Sequence, residues 1–383
     1  MLVINLAPID QSGRSLAIAH YLKKEKNSVM LVSYAGTRKH GAQEKQSRLS
    51  IFYIRNIVTK GKGFPARQAT LVAKMLYIVF MSIFYLFRYK YDLYKNGLKR
   101  HCAGCKFYSR GGAVIFVVPP TITVILPVIV AKLLRIRVII DWHRIAEGFM
   151  EIMDRCIASM VENITVTQAM QEYFMQHRIK KPFLLTDMKL RKITKKKRQE
   201  RKHSLNRVAF LHYLSTKYKE YGDKLGSIKS FQKIGVCSTS CSKEENIKEL
   251  LKEIKSLEIP QGGVLFITTK EKINCKAGNL QVIQVFLDYQ DYLGLLEIAD
   301  FGISTHVCRF DFPLKIVDYL ESKLLVLAHV STPDIAGPFQ KSRIVRYTDR
   351  LALREQLTRL YTEDSENEPN SPKTNYLIKA KAQ

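Results

Sequence analysis

The sequence predicts an α/β protein of two domains, each built on a parallel sheet, and three observations carry that expectation. The chain has 383 residues, more than one domain comfortably holds at about 100–200 residues each. Short apolar runs alternate with helical patterns in both halves, the order that parallel sheets produce. A dense basic stretch, residues 189–202, separates the two series. Such a block repels itself and stays solvated, as a linker does. The expected division is a first domain over 1–188, a linker over 189–206, a second domain over 207–361 and a polar tail over 362–383.

Along the chain, Leu2-Val3-Ile4-Asn5-Leu6 reads as a buried strand, followed by a loop with Asp10, Gly13, Arg14 and Ser15 and a helical pattern over 16–22. Further strands are expected at 29–32 and 51–54. Residues 75–87 are apolar apart from Ser82, yet this window is short of the roughly 20 residues that a membrane span needs. It is expected to be an interfacial or buried helix bracketed by Lys74, Arg88 and Lys90. Residues 114–134 are long enough to span, but Pro119, Pro120 and Pro127 interrupt them. A strand at 114–118, a turn, a helix ending at Leu134 and a strand at 138–140 account for them better. The second half gives strands at 234–237, 263–268, 280–287, 301–304 and 324–328, with helices over 246–257, 292–298 and 313–321. The polar, Pro-containing tail predicts no packed structure.

Lys and Arg number 62 against 34 Asp and Glu, a net charge of +28. So strong a positive field calls for an anionic partner: nucleic acid, an anionic membrane or a phosphate-rich substrate. No RNA-recognition, KH or helix-turn-helix signature supports nucleic acid. The seven cysteines are an odd number and no secretory signal is evident, which predicts reduced thiols in a cytosol-facing protein. Cys102 and Cys105, beside His101, have no second ligand pair, so no zinc site is expected. The sequon at Asn163 is expected to stay unused.

Two stretches suit a phosphate or sugar ligand. Ser238-Thr239-Ser240 follows a strand and leads into a helix, where Ser242 and Glu245 also fit a capping box. Asp311, Lys315 and Asp318 stand four and three residues apart, on one helical face if the helix reaches back that far. A cation between carboxylates at the mouth of an α/β domain suits a nucleotide diphosphate and its ribose, and a solvated charged face fits the same spacing.

These residues also resemble a known family. Asp311-x-Pro313-x-Lys315-x-x-Asp318, preceded by Ala299-Asp300-Phe301-Gly302-Ile303, is similar to the donor region of the chitobiosyldiphosphodolichol β-mannosyltransferases. Ile139-Ile140-Asp141-Trp142-His143 resembles that family's IIDWH motif, Val166-Thr167-Gln168-Ala169-Met170 its VT-x-AM motif, and Pro119-Pro120 part of its NPP motif. Gly13-Arg14-Ser15 is similar to its GRSPR loop, and Ser238-Thr239-Ser240 with Glu244 and Glu245 to its SSTSWTPDED stretch. Val118 replaces the family asparagine before Pro-Pro, and Thr269-Lys270-Glu271-Lys272 replaces a glycine-rich turn.

The resemblance implies a GT-B fold, two Rossmann-like domains facing each other across a cleft. It implies inverting transfer of mannose from GDP-mannose to dolichol-diphosphate-linked chitobiose, on the cytosolic face of the endoplasmic reticulum membrane. No metal or other cofactor is implied, so Lys315, Arg14 and Lys270 are the candidate cations for the diphosphate, with Gly13, Ser238, Thr239, Asp311 and Asp318 completing the donor set. The base is expected at the carboxyl end of a strand, which nominates His143, Asp141 and Asp10, with Glu147 further out. Other lipid-linked-oligosaccharide glycosyltransferases are possible partners and nucleic acid is not expected. Alternatives are a non-catalytic GT-B relative that scaffolds such enzymes, a GT-B enzyme with another lipid-linked acceptor, and, behind both, a basic nucleic-acid-binding protein.

Overall fold

The structure, a computed structural model, describes residues 1–8, 13–25, 27–35, 43–46, 48–55, 64–95, 112–118, 121–187, 190, 206–230, 232–242, 244–259, 262–273, 275, 278–333 and 343–362. The basic stretch (Leu190 excepted), the Cys102/Cys105 pair, Asp10 and the tail beyond Thr362 lie outside these residues. Contacts divide the chain into two compact units. One is Met1–Lys202 with Cys308–Val317 and Ser331–Gly337; the other is His203–Val307, Asp318–Val330 and Pro338–Gln383.

In the first unit the elements run β1 (Leu2–Pro8), α1 (Gly13–Lys24), β2 (Val29–Tyr34), β3 (Gln43–Gln46), β4 (Leu49–Ile54), α2 (Phe64–Lys95), β5 (Ala113–Val118), α3 (Ile125–Leu133), β6 (Arg137–Trp142), α4 (Phe149–Met160), β7 (Glu162–Thr165), α5 (Gln168–Gln176) and β8 (Phe183–Leu184). The eight-stranded sheet has the order β3-β4-β2-β1-β5-β6-β7-β8, parallel except that β3 runs antiparallel to β4. Alternate strand residues feed two cores. Ile4, Phe116 and Ile140 join one, while Val3, Ile115 and Ile139 join the other. A sheet covered on both faces needs continuous apolar runs, which is what these strands supply.

The expected strand, turn, helix and strand over 114–140 are present as β5, a short 3-10 turn at Thr121–Thr123, α3 and β6. The helix expected over 75–87 is present and is longer than the apolar window. That window lies inside α2, a helix of 32 residues, whose stretch Gln68–Lys95 is by length and composition able to cross a membrane. Aromatic and charged residues extend the helix beyond the apolar window, and a count of uninterrupted apolar residues missed them. Ile78, Ser82, Tyr85, Leu86 and Tyr89 form its buried face, with the Tyr85 ring 5.7 Å from that of Phe52 on β4. Leu76, Phe80, Phe84 and Phe87 are exposed. One face is thus committed to the sheet and the other is apolar and open.

The second unit holds α6 (Arg207–Lys217), α7 (Gly222–Gly226), β9 (Lys233–Ser238), α8 (Ile247–Lys255), β10 (Gly263–Thr268), β11 (Leu280–Val285), α9 (Tyr289–Ile298), β12 (Phe301–Ser304), α10 (Leu314–Glu321), β13 (Leu325–His329), β14 (Ile344–Tyr347) and α11 (Arg350–Thr362); α10 straddles the division between the units. Its six strands, in the order β11-β10-β9-β12-β13-β14, are all parallel. Strand order reverses between β9 and β12 here, and between β1 and β5 in the first sheet. Loops at the carboxyl ends of such strands are where ligands of open parallel sheets bind.

Candidate active-site residues

At the carboxyl edge of the first sheet, three elements distant in sequence deliver one charged cluster. Arg14, in the first turn of α1, directs Nε and Nη2 onto the two oxygens of Asp141 at 2.8 and 2.7 Å. Its Nη1 donates to Asp187 beyond β8 at 2.7 Å, and Nη2 also donates to the Leu185 carbonyl at 2.8 Å. His143 Nε2 lies 3.0 Å from Asp141 Oδ2. The Asp141 side chain is 0% exposed and that of His143 28%.

Burial alone would push the Asp141 carboxyl up, but the Arg14 charge and its hydrogen bonds, with His143 adding to them, hold it well below the usual carboxylate range. Burial likewise opposes the Arg14 cation, and the two carboxylates overcome it. The pair is therefore ionised and fully engaged.

This geometry corrects two expectations. Arg14 is withdrawn from the candidate diphosphate cations, because its guanidinium is buried and spent on Asp141, Asp187 and a carbonyl. Asp141 is withdrawn as a base, because a sealed carboxylate held ionised neither reaches a substrate nor readily takes a proton. What it can do is fix the neighbouring imidazole: a carboxylate on one ring nitrogen sets tautomer and orientation and leaves the other nitrogen to act. Of Arg14, Asp141 and His143, it is His143 that reaches solvent. Asp187 escaped the sequence reading; no local motif marks it. Gly13 opens α1.

Asn163 shows why its sequon is unsuited to modification in the folded chain. Its side chain is buried, accepts from Trp142 Nε1 at 2.8 Å and donates to the Ala158 carbonyl at 2.7 Å.

In the second unit, the loop after β9 is organised by Glu245. Its Oε2 accepts from Thr239 Oγ1 at 2.8 Å, Ser240 N at 2.5 Å and Ser240 Oγ at 2.8 Å. Ser238 donates through its hydroxyl to Tyr292 at 3.2 Å and through its backbone N–H to Tyr319 Oη at 2.8 Å. The expected phosphate cradle is corrected accordingly. Ser238 and Thr239 spend their hydroxyl protons inside the protein, and the Ser240 N–H faces a carboxylate where an anion was expected. The capping box is absent too, since Glu245 turns to this loop and Asn246, at the helix N-cap, makes no side-chain cap bond.

Lys270 stands exposed just past β10, its ammonium 4.7 Å from the centre of the Phe286 ring. It shares with the β9 loop the carboxyl edge of this sheet. The helix carrying Lys315 and Asp318 begins at Leu314 and does not reach back to Asp311. The Asp311 carboxylate instead accepts from Phe312 N at 2.7 Å. The shared helical face is therefore limited to Lys315 and Asp318, three residues apart, and Asp318, a donor-site candidate, is buried. Among the described residues no group of three or more His, Cys, Asp or Glu has a metal-binding arrangement.

Comparison with known proteins follows the same lines. No protein-family model matches the chain. By sequence it is similar to the chitobiosyldiphosphodolichol beta-mannosyltransferase of Kluyveromyces lactis, 27% identical over 308 residues, 68% of this chain and 66% of the relative. The proteins of the same name from Candida glabrata and Eremothecium gossypii are each 25% identical, over 62% and 69% of this chain and 60% and 62% of theirs. The chain thus spans about two thirds or less of the length of these relatives.

By structure it is similar to the UDP-forming alpha,alpha-trehalose-phosphate synthase of Burkholderia vietnamiensis, with a TM-score of 0.58 at 8% identity over 95% of this chain and 92% of that one. Sucrose-phosphate synthase of Thermosynechococcus elongatus gives 0.56 at 12% identity over 94% and 90%. A glycosyltransferase involved in lipopolysaccharide biosynthesis gives 0.52 at 11% over 95% and 91%. The chain has the GT-B fold of glycosyltransferases, and its sequence similarity runs to the chitobiosyldiphosphodolichol beta-mannosyltransferases.

Proposed function

We propose that this protein transfers mannose from GDP-mannose to a dolichol-diphosphate-linked chitobiose, forming a β1,4 bond with inversion. The observation that carries the reading is His143, held by the buried Arg14–Asp141 pair at the carboxyl edge of the first sheet, in a chain similar to three enzymes of that name. His143 takes the proton of the acceptor hydroxyl as it attacks the anomeric carbon and the bond to GDP breaks. Asp141 stabilises the imidazolium so formed. Lys315 and Lys270 meet the charge of the departing diphosphate without a metal. Asp318, three residues after Lys315 on α10, is buried.

The membrane proposed for this protein is that of the endoplasmic reticulum, met from its cytosolic face, and the long α2 offers the means of attachment. Its inner face belongs to the sheet, so its exposed apolar face lies in the membrane surface, and the net charge of +28 favours anionic headgroups.

The sequestered Arg14 and the Glu245 carboxylate in the β9 loop favour a second reading, a non-catalytic relative that scaffolds other glycosyltransferases. One experiment separates the two: incubation of the purified protein with GDP-mannose and a chitobiosyl-diphospho-lipid, with the product read by mass. A gain of one hexose, lost in His143→Ala, supports the enzyme. No product and no GDP-mannose binding supports the scaffold.

A further inference from the structure

The crevice between α4 and the end of α5, within the first unit, has no part in the chemistry above. It is open to solvent, with a volume of about 370 Å³, and is lined by Ile152, Arg155, Cys156, Ser159, Gln176, His177, Arg178 and Ile179. Two guanidinium groups and an imidazole converge there and no carboxylate lines it. The acidic residues of the two helices are turned elsewhere. Glu151 accepts from the Tyr173 hydroxyl, Asp154 from the Ala146 N–H at 2.8 Å and Glu172 from Gln168 at 2.7 Å.

The Arg155 Nε is buried with no hydrogen-bond acceptor. A buried donor on a cation left without an acceptor is costly, and in folded proteins such groups are ordinarily satisfied. His177 Nδ1 donates to the Tyr173 carbonyl at 3.1 Å, with its ring centre 4.4 Å from that of Tyr173 and tilted to it. Of the apolar lining residues Ile152 is exposed, and the same two helices carry exposed Phe149, Met160 and Met175.

We propose that this crevice binds a phosphate group, with Arg155 and Arg178 supplying the planar donors that match phosphate oxygens. The site stands apart from His143 and does not rest on the transferase reading. Its ligand chemistry belongs equally to free phosphate and to the headgroup of an anionic lipid, whose chains the exposed apolar residues would meet.

The test uses the full chain. Inorganic phosphate is titrated calorimetrically, and flotation is measured with phosphatidylcholine vesicles with and without phosphatidic acid. Arg155→Gln/Arg178→Gln is compared with the parent and with Lys248→Gln/Lys252→Gln, which removes the same charge from exposed positions of α8. The crevice variant should bind phosphate or phosphatidate vesicles roughly ten- to a hundredfold more weakly, and the control should stay within about twofold, as screened surface charges do. Calorimetric binding without vesicle preference assigns the site to free phosphate. Phosphatidate-dependent flotation that inorganic phosphate competes away assigns it to a headgroup. Absence of binding by the parent to either probe, or equal losses in the two variants, overturns the proposal. Arg178→Gln alone, at an exposed position, keeps the comparison available if the double variant does not fold.

Discussion

Asp141→Asn removes one charge from a pair that the fold has sealed, and the structure sets the size of the effect. Asp141 accepts two hydrogen bonds from Arg14 and one contact from His143 in a fully buried position. Breaking such a pair from one side costs about 3–5 kcal/mol, with Arg14 left only its bonds to Asp187 and the Leu185 carbonyl. Asp187 receives a single bond, at 2.7 Å, so Asp187→Asn should cost less, about 1–3 kcal/mol. The chain has one tryptophan, Trp142, which is buried and adjacent to Asp141, so its fluorescence follows unfolding of the first unit by itself. With a urea slope of about 2 kcal/mol per M, the midpoint for Asp141→Asn should fall by about 1.5–2.5 M. Adding Arg14→Met should cost less than the sum of the single changes, because the two residues share one pair. The pH dependence has a definite sign. The Asp141 carboxyl is held below its ordinary range when folded, so its contribution is complete above the unfolded value, about 3.9, and is lost as pH falls through the lower folded one. The gap between parent and variant should be constant from about pH 8 to 5 and narrow below about 4. A midpoint within about 0.3 M of the parent at neutral pH would refute the reasoning.

Three further outcomes are expected. His143→Gln should leave the Trp142-monitored midpoint unchanged, because the ring is partly exposed, while lowering mannosyl transfer by about 10²–10⁴-fold in a mass-based product assay. Gly302→Ala should destabilise the second unit by about 1–3 kcal/mol, measured by calorimetry, since an added Cβ would stand 2.5 Å from the Tyr319 ring, whose hydroxyl receives the Ser238 N–H. Leu76→Asp/Phe80→Asp, at positions each 65% exposed on α2, should abolish flotation with anionic vesicles yet shift stability by no more than about 0.5 kcal/mol; retained flotation would remove α2 from the membrane reading.

What could be read from the sequence, and what could not, divides along a physical line. Strands β1, β5, β6, β10 and β12 were legible because both faces are covered, and a doubly covered strand is a continuous apolar run wherever it sits. Strand β3 was not: Gln43-Glu44-Lys45-Gln46 has no apolar pattern and pairs antiparallel at an edge, where side-chain burial demands little of the sequence. The adjacency of Asp141 and His143 was legible because two residues of one strand end are neighbours whatever the rest of the fold does. Availability was not legible. Arg14 reads as a free cation beside a loop until Asp141 and Asp187, 127 and 173 residues away, are brought to it by the sheet order, since β6 lies two strands from β1 and β8 four. Glu245 fails in the same way. Its spacing from Ser242 satisfies a local capping rule, yet the carboxylate is taken by Thr239 and Ser240, donors that the turn out of β9 places within reach. In both cases a short-range pattern identified the right chemical type and misassigned its use, because a charge is free for a ligand only if no protein partner reaches it first. Lys270 remains a candidate cation by that criterion. Lys270 sits exposed with its ammonium over an aromatic ring, an attraction worth about 0.5–1 kcal/mol at such a site, well below what a diphosphate offers.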